Sequence, residues 1–141
     1  MLWLASVILL FVASPTRTYR LVSISGDSLP VVVAGNSAGR VDIVSGSLIL
    51  RSDGSYTQRE SRRSFPSAEA ERILGQRPAS NTYTREAGTY LVRDTLIILT
   101  PYADTTADEV PYVGSIHGRI VEFESDGSFY VYRQQLSPAP K

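Results

Sequence analysis

Residues 88–100 read GTYLVRDTLIILT, and the fold is decided by how this stretch is read. Tyr90 and Val92 alternate with Leu91 and Arg93, Asp94 stands where a turn is needed, and residues 96–99 run unbroken in Leu and Ile. Branched and aromatic side chains suit a half-buried pleated surface, so the stretch predicts a β-hairpin at the centre of a sheet. Tyr90, Leu96 and Ile98, together with Val131 on the last strand, are expected to face the interior.

Working outward, the same period-two signals recur on both sides. Residues 18–25 (TYRLVSIS) end at Gly26–Asp27, residues 30–34 (PVVVA) form a short branched run, and the glycines between 35 and 39 read as a loop. Without a following helix or a Gly-Lys-Ser/Thr ending, those glycines cradle no phosphate. Residues 40–51 are long for one strand and carry Ser45–Gly46 in their middle, the place for a bulge or a bend at a barrel corner. Asp-Gly pairs at 53–54 and 126–127 suit tight turns that require positive φ, and each joins two strand-like runs. The series predicts an all-β chain, an antiparallel up-and-down barrel of about eight strands with one short helix, closed so that no edge is left exposed.

The helix is expected over residues 66–74 (PSAEAERIL), with Ser67 as N-cap, Glu69 and Glu71 in the first turn and Gly75 just beyond the end. Two turns are unstable alone, so Phe65, Ile73 and Leu74 are expected to dock on apolar surface at one end of the barrel. There the helix serves either as a lid over the mouth or as a permanent plug. Tyr56, Arg59, Arg63 and Tyr83 on the adjoining strands are expected to supply polar contacts at the rim, completing a ligand site with Phe65, Ile73 and Leu74. Period-two alternation puts Arg59 and Arg63 on one face with Thr57 and Phe65, and Glu60 and Arg62 on the other with Tyr56 and Gln58. Such charges either discourage edge pairing or offer guanidinium forks to an anion.

Composition bounds the function. The 141 residues suit one domain, and fourteen basic residues balance fourteen acidic ones, so no global field draws nucleic acid or an anionic membrane. All the basic residues but Lys141 are arginine, which reads as a coding bias. No Cys is present, which removes disulfides, thiolate metal sites and a Cys nucleophile. His117 is the single histidine and precedes Gly118 in a predicted turn, with no second ligand or nucleophile beside it. Asp104, Asp108 and Glu109 lack the spacing of a calcium loop, and Glu122 and Glu124 read as a solvated strand face. The expectation is therefore no enzyme, no catalytic residue, no metal and no cofactor. Eight tyrosines, mostly on predicted strands, read as core packing with a polar handle at a rim.

Residues 1–13 (MLWLASVILLFVA) are uncharged, and Ser14, Pro15 and Thr16 follow. The run is shorter than the roughly 20 apolar residues of a membrane span and has the block and small-residue exit of a secretory leader. The expected organisation is a signal peptide at 1–17, a barrel domain at 18–134 and a disordered tail at 135–141, exported to a periplasm or the exterior, with no stable membrane insertion after cleavage.

With these residues assembled, the chain resembles the small exported lipocalin-like domains of bacteria. The resemblance rests on Tyr-x-Leu at 19–21, Leu-Pro-Val at 29–31, a Ser-Gly-Ser-Leu strand running into Asp-Gly over 45–54, Gly-Thr-Tyr-x-Val at 88–92, Tyr-x-Gly at 112–114 and Tyr-x-Tyr-Arg at 130–133. It covers residues 18–133. The Gly-x-Trp motif of true lipocalins is absent; in its place the resemblance implies Tyr19, with Arg133 packing over it from the last strand. It further implies an apolar interior and a binding module for a small apolar or amphipathic ligand, the alternative being an envelope or surface interaction protein whose barrel is filled by its own side chains.

Overall fold

The computed structural model describes residues 15–76, 78–102 and 111–136. Ten strands and one helix follow in chain order: β1 Arg17–Ile24, β2 Asp27–Ser28, β3 Val31–Asn36, β4 Gly39–Leu50, β5 Ser55–Pro66, α1 Ala68–Leu74, β6 Ser80–Arg93, β7 Leu96–Pro101, β8 Tyr112–His117, β9 Ile120–Ser125 and β10 Ser128–Gln134. Neighbouring strands pair antiparallel in the order β1-β10-β9-β8-β7-β6-β5-β4, and β1 pairs with β4 to close an eight-stranded up-and-down barrel. The expected fold class is the fold observed. Most of the leader expected at 1–17 and of the tail expected at 135–141, and the whole of the 104–109 acidic cluster, lie outside the described residues.

Turn chemistry fixes the hairpins where the sequence placed them. Gly54, Asp94, Asp126 and Gly127 all take the positive φ that tight hairpin turns demand, and only Gly, Asn and Asp accept that conformation at low cost. The Asp53 carboxylate accepts from both the backbone N–H and the hydroxyl of Ser55, which draws its pKa below the usual carboxylate value.

The interior is built from one face of each strand. Tyr19, Leu21, Ile43, Leu48, Leu50, Tyr56, Ile97, Leu99, Val121, Phe123 and Tyr132 are buried together there. On β7 the inward pair is Ile97 and Leu99, not Leu96 and Ile98 as the sequence suggested: Leu96 is 42% exposed and Ile98 is only half-buried. Val131 likewise turns outward, paired with exposed Glu122, while Tyr90 is half-buried and packs against the core. Tyr19 is fully buried, but Arg133 does not cover it. Arg133 points into solvent opposite Arg20, and Gln134 is Tyr19's cross-strand partner.

Two features shape the ends of the barrel. At the closing seam, β1 and β4 pair only from Arg17 to Arg20 and from Ser47 to Leu50. Beyond that point, irregularities at Leu21/Ser23 and Ile43/Ser45 separate the strands, and each finds a new partner, β2 for β1 and β3 for β4. On the other side, β5 and β6 run 12 and 14 residues, longer than the short strands they face, and with β3 and β4 they rise as a lip.

The helix hangs on this lip. Ser67 caps it by accepting from Ala70 N–H, and the same residue tethers it to the β3–β4 turn, its N–H donating to the Ala38 carbonyl at 2.9 Å and its hydroxyl to the Ser37 carbonyl at 2.6 Å. Ile73 and Leu74 are 67% and 60% exposed, and no helical residue is buried. The expected docking, as lid or as plug, is therefore not formed. Because β5 ends on the lip rather than at the barrel wall, the connection to β6 is secured by a local hydrogen-bonded tether instead of by apolar packing.

Candidate functional site

The face of β5 that points inward carries Tyr56, Gln58, Glu60 and Arg62 in succession, and its character changes along the strand. At the seam end Tyr56 is fully buried; at the other end Glu60 and Arg62 meet a cavity of about 250 Å³ at the barrel mouth, lined also by Gln58, Thr84, Glu86, Tyr112, Asp126 and Tyr130. Arg62 pairs with Glu60 at 3.0 Å, and the Glu60 carboxylate is nearly buried while the guanidinium stays half-exposed.

The floor of the cavity is held by tyrosines bonded to carboxylate and amide groups. Tyr56 Oη donates to Glu86 Oε1 at 2.7 Å and Tyr112 Oη to Glu86 Oε2 at 3.0 Å, so one carboxylate is gripped from two strands. Gln58 Nε2 donates to Tyr132 Oη at 2.8 Å. Phe123 sits among the rings of Tyr112, Tyr130 and Tyr132 with centroids 5.5 to 5.8 Å away, an aromatic layer that separates the polar mouth from the aliphatic core.

Burial, reinforced by the neighbouring acids, raises the tyrosine pKa values. Tyr112 is pushed up to about 12 by burial and by Glu86. Tyr56 is raised by burial and its bond to Glu86, Tyr132 by burial, and Tyr130 by burial and then by Glu60. The phenols stay protonated at neutral pH, and Tyr56 and Tyr112 are the two that donate to an acid. Three acids, Glu60, Glu86 and Asp126, line the cavity with two cations, Arg62 and Arg85, and strand parity puts Arg85 on the outer face, so the balance at the mouth is negative.

A second cavity of about 450 Å³ opens from the first where the seam divides. It shares Arg62, Ser125, Asp126 and Tyr130 with the mouth, while Ile24, Val31, Val41 and Ile43 give it an apolar wall. The two together form one amphipathic depression, acidic on the β5–β6 side and aliphatic along β1, β3 and β4, with Asp27 of β2 at its border.

The residues expected to make the site are dispersed. Tyr56 belongs to the core and reaches the mouth only through its hydroxyl. Arg59 and the 80%-exposed Tyr83 lie on the outer face of β5 and β6. Phe65 is clasped on the lip between Arg40 and Arg63, whose guanidinium carbons stand 4.6 and 5.4 Å from its ring centre. Ile73 and Leu74 are in solvent. Gln58, Glu60 and Arg62 share the face of Tyr56 by the alternation readable in the sequence, whereas Glu86, Tyr112 and Tyr130 join them only through the pairing of separate strands. A polar run on the inward face of a barrel strand is the signal that marks a mouth.

Among the described residues no group of three or more His, Cys, Asp or Glu is placed to hold a metal ion. His117 ends β8 in solvent. Comparison of the chain with protein-family models, with curated proteins and with solved structures finds no match.

Proposed function

We propose that the protein is an exported lipocalin-like binding module whose mouth takes a small amphipathic ligand with a cationic head. The observation that carries this reading is the pairing of an acidic compartment, Glu60, Glu86 and Asp126, with the aliphatic wall of Ile24, Val31, Val41 and Ile43 across a shared boundary. A site with an apolar wall and a few placed polar groups is the usual form of a small-molecule site. The head would meet the Glu86 carboxylate, held in place by two tyrosine hydroxyls, and the tail would lie along the wall from β1, β3 and β4. Export rests on the leader read over residues 1–17, and the lipocalin-like class on the motifs quoted above together with the closed barrel.

Calorimetric titration with decyltrimethylammonium, below its micelle concentration, tests the reading against decanoate as the anionic control. The cation is expected to bind saturably, and Glu86→Gln to weaken it about tenfold, the effect of losing about 1.4 kcal/mol of charge pairing. Equal binding of decanoate, or indifference to Glu86→Gln, overturns it. The rival reading, an interaction protein with a filled barrel, draws support from the close-packed half beneath Tyr56 and Tyr132, both fully buried. If neither amphiphile binds, that reading takes its place.

A further inference from the structure

The outer surface carries a feature that the mouth does not use. Cross-strand register places Arg133 of β10 opposite Arg20 of β1, Arg20 opposite Ser47 of β4, Ser47 opposite Arg59 of β5, and Arg59 opposite Arg85 of β6. All four arginines are exposed, and the residues beside them in sequence, Tyr19 and Leu21, Glu60, and Tyr132, with Leu48 beside Ser47, are buried on the opposite face. One row of guanidinium groups thus crosses five adjacent strands, as two directly opposed pairs separated by a serine.

Like charges directly opposite one another destabilise a sheet. Among the described residues none of the four makes an ion pair; the pairs formed are Arg40–Asp42, Arg62–Glu60 and Arg72–Glu69. Nor does edge protection explain the row: Arg20, Arg59 and Arg133 stand on strands paired on both sides at these positions, and only Arg85 lies where β6 has run beyond its pairing with β7. The chain has no net charge, so the row is a local concentration of cations balanced by acids elsewhere, several of them inside the mouth.

We infer that this row is a binding track for an acidic polysaccharide, a flexible sugar chain bearing carboxylate or sulfate groups. Shape selects a flexible partner. Five adjacent strands of a closed eight-stranded barrel span half its circumference, about 19 Å along the surface at about 4.8 Å per strand. A flat bilayer or a stiff duplex meets only part of such a curve, whereas a flexible chain follows it.

The flanking chemistry selects sugar. Ser47 lies in the row, Ser45 and Ser61 form the next outward layer, and a groove of about 450 Å³ gathers these three serines with Arg59, Arg85 and Tyr83. Hydroxyls beside guanidinium forks match a polyol carrying planar or trigonal anions. A single-stranded nucleic acid instead needs successive aromatic platforms for its bases, and Tyr83 is the one aromatic residue in the groove.

Affinity measurement with polygalacturonate and heparin at low salt tests the track, with oligothymidylate and phosphatidylglycerol vesicles as competing anions. One or both polysaccharides are expected to bind more tightly than either competitor, the two separating carboxylate from sulfate preference. Arg59→Ser with Arg85→Ser, and separately Arg20→Ser with Arg133→Ser, are each expected to weaken binding at least tenfold and to reduce its salt dependence. Arg40→Ser, on the lip and off the row, and Glu86→Gln, in the mouth, leave it unchanged, so the two sites fail independently. The four row residues are exposed, and near-ultraviolet circular dichroism verifies that the variants keep the fold. Undiminished binding by either double variant, tighter binding of oligothymidylate or vesicles, or no polysaccharide binding by the wild-type chain overturns the inference.

Discussion

Leu99→Ala and Leu96→Ala are the same chemical change made three residues apart on β7, and the structure assigns them unequal costs. Leu99 is fully buried among the core residues, whereas Leu96 is 42% exposed on the outer face. Truncation at Leu99 removes three carbons from a water-free site, about 2.4 kcal/mol of transfer free energy at ~0.8 kcal/mol per methylene. The cavity left in a closed barrel adds to this and brings the loss to about 3 to 4 kcal/mol. At Leu96 a little over half of the side chain is covered, so the transfer loss is about 1.4 kcal/mol and no closed cavity forms. Urea denaturation followed by tryptophan-independent circular dichroism separates the two. With an m-value of about 1.5 kcal/mol/M, the midpoint falls by about 2 to 2.7 M for Leu99→Ala and by roughly 0.9 M for Leu96→Ala. Equal losses, or a greater loss at Leu96, would refute the inward assignment of Ile97 and Leu99 and with it the register of the central hairpin.

Three further outcomes are expected. Tyr56→Phe deletes a buried hydroxyl that donates to the Glu86 carboxylate at 2.7 Å, so urea melts should show a loss of about 1.5 to 3 kcal/mol; less than about 0.5 means that the carboxylate finds its donors elsewhere. Stability should fall at alkaline pH, because Tyr112 holds its proton to about 12 in the folded chain but only to about 10 when unfolded. The unfolded state releases the proton first, so the contribution is intact below pH ~10 and lost as pH rises through about 12; a melting temperature unchanged across that window, or unaffected by Tyr112→Phe, contradicts it. Ile73→Ser with Leu74→Ser should change stability by less than about 0.5 kcal/mol, since both side chains stand in solvent, and a loss of several kcal/mol would show that the helix docks after all.

Local chemistry made much of this barrel readable. Asp53–Gly54 and Asp126–Gly127 announce their turns because few residues accept positive φ, and Ser67 with Gly75 brackets the helix because the helix ends need a cap and a stop. On β5 alternation sorts the residues into two faces, but each carries one aromatic ring and charged groups, so which face turns inward has no local signal. Residues 96–99 are apolar at every position, and a run with no contrast carries no parity, so the sequence does not distinguish Leu96 and Ile98 from the inward pair Ile97 and Leu99. Docking of Phe65, Ile73 and Leu74 was inferred from the instability of a short helix; the tether from Ser67 to Ser37 and Ala38 spans about thirty residues and has no local signature. The arginine row is invisible in one dimension, because its members are scattered from 20 to 133 and only the register of four strand pairs aligns them.

The seam between β1 and its two partners carries a consequence for the order of assembly. β1 can pair with β4 once residue 50 has been made, but its other edge belongs to β10 and stays bare until Gln134 reaches Tyr19. Through most of synthesis the chain is therefore an open sheet with two unsatisfied borders, able to recruit a strand from a neighbouring molecule as readily as its own last one. Closure is a single late event that joins the most distant parts of the sequence, the slowest kind of contact to form, and the yield of folded barrel depends on keeping nascent chains apart until it has happened.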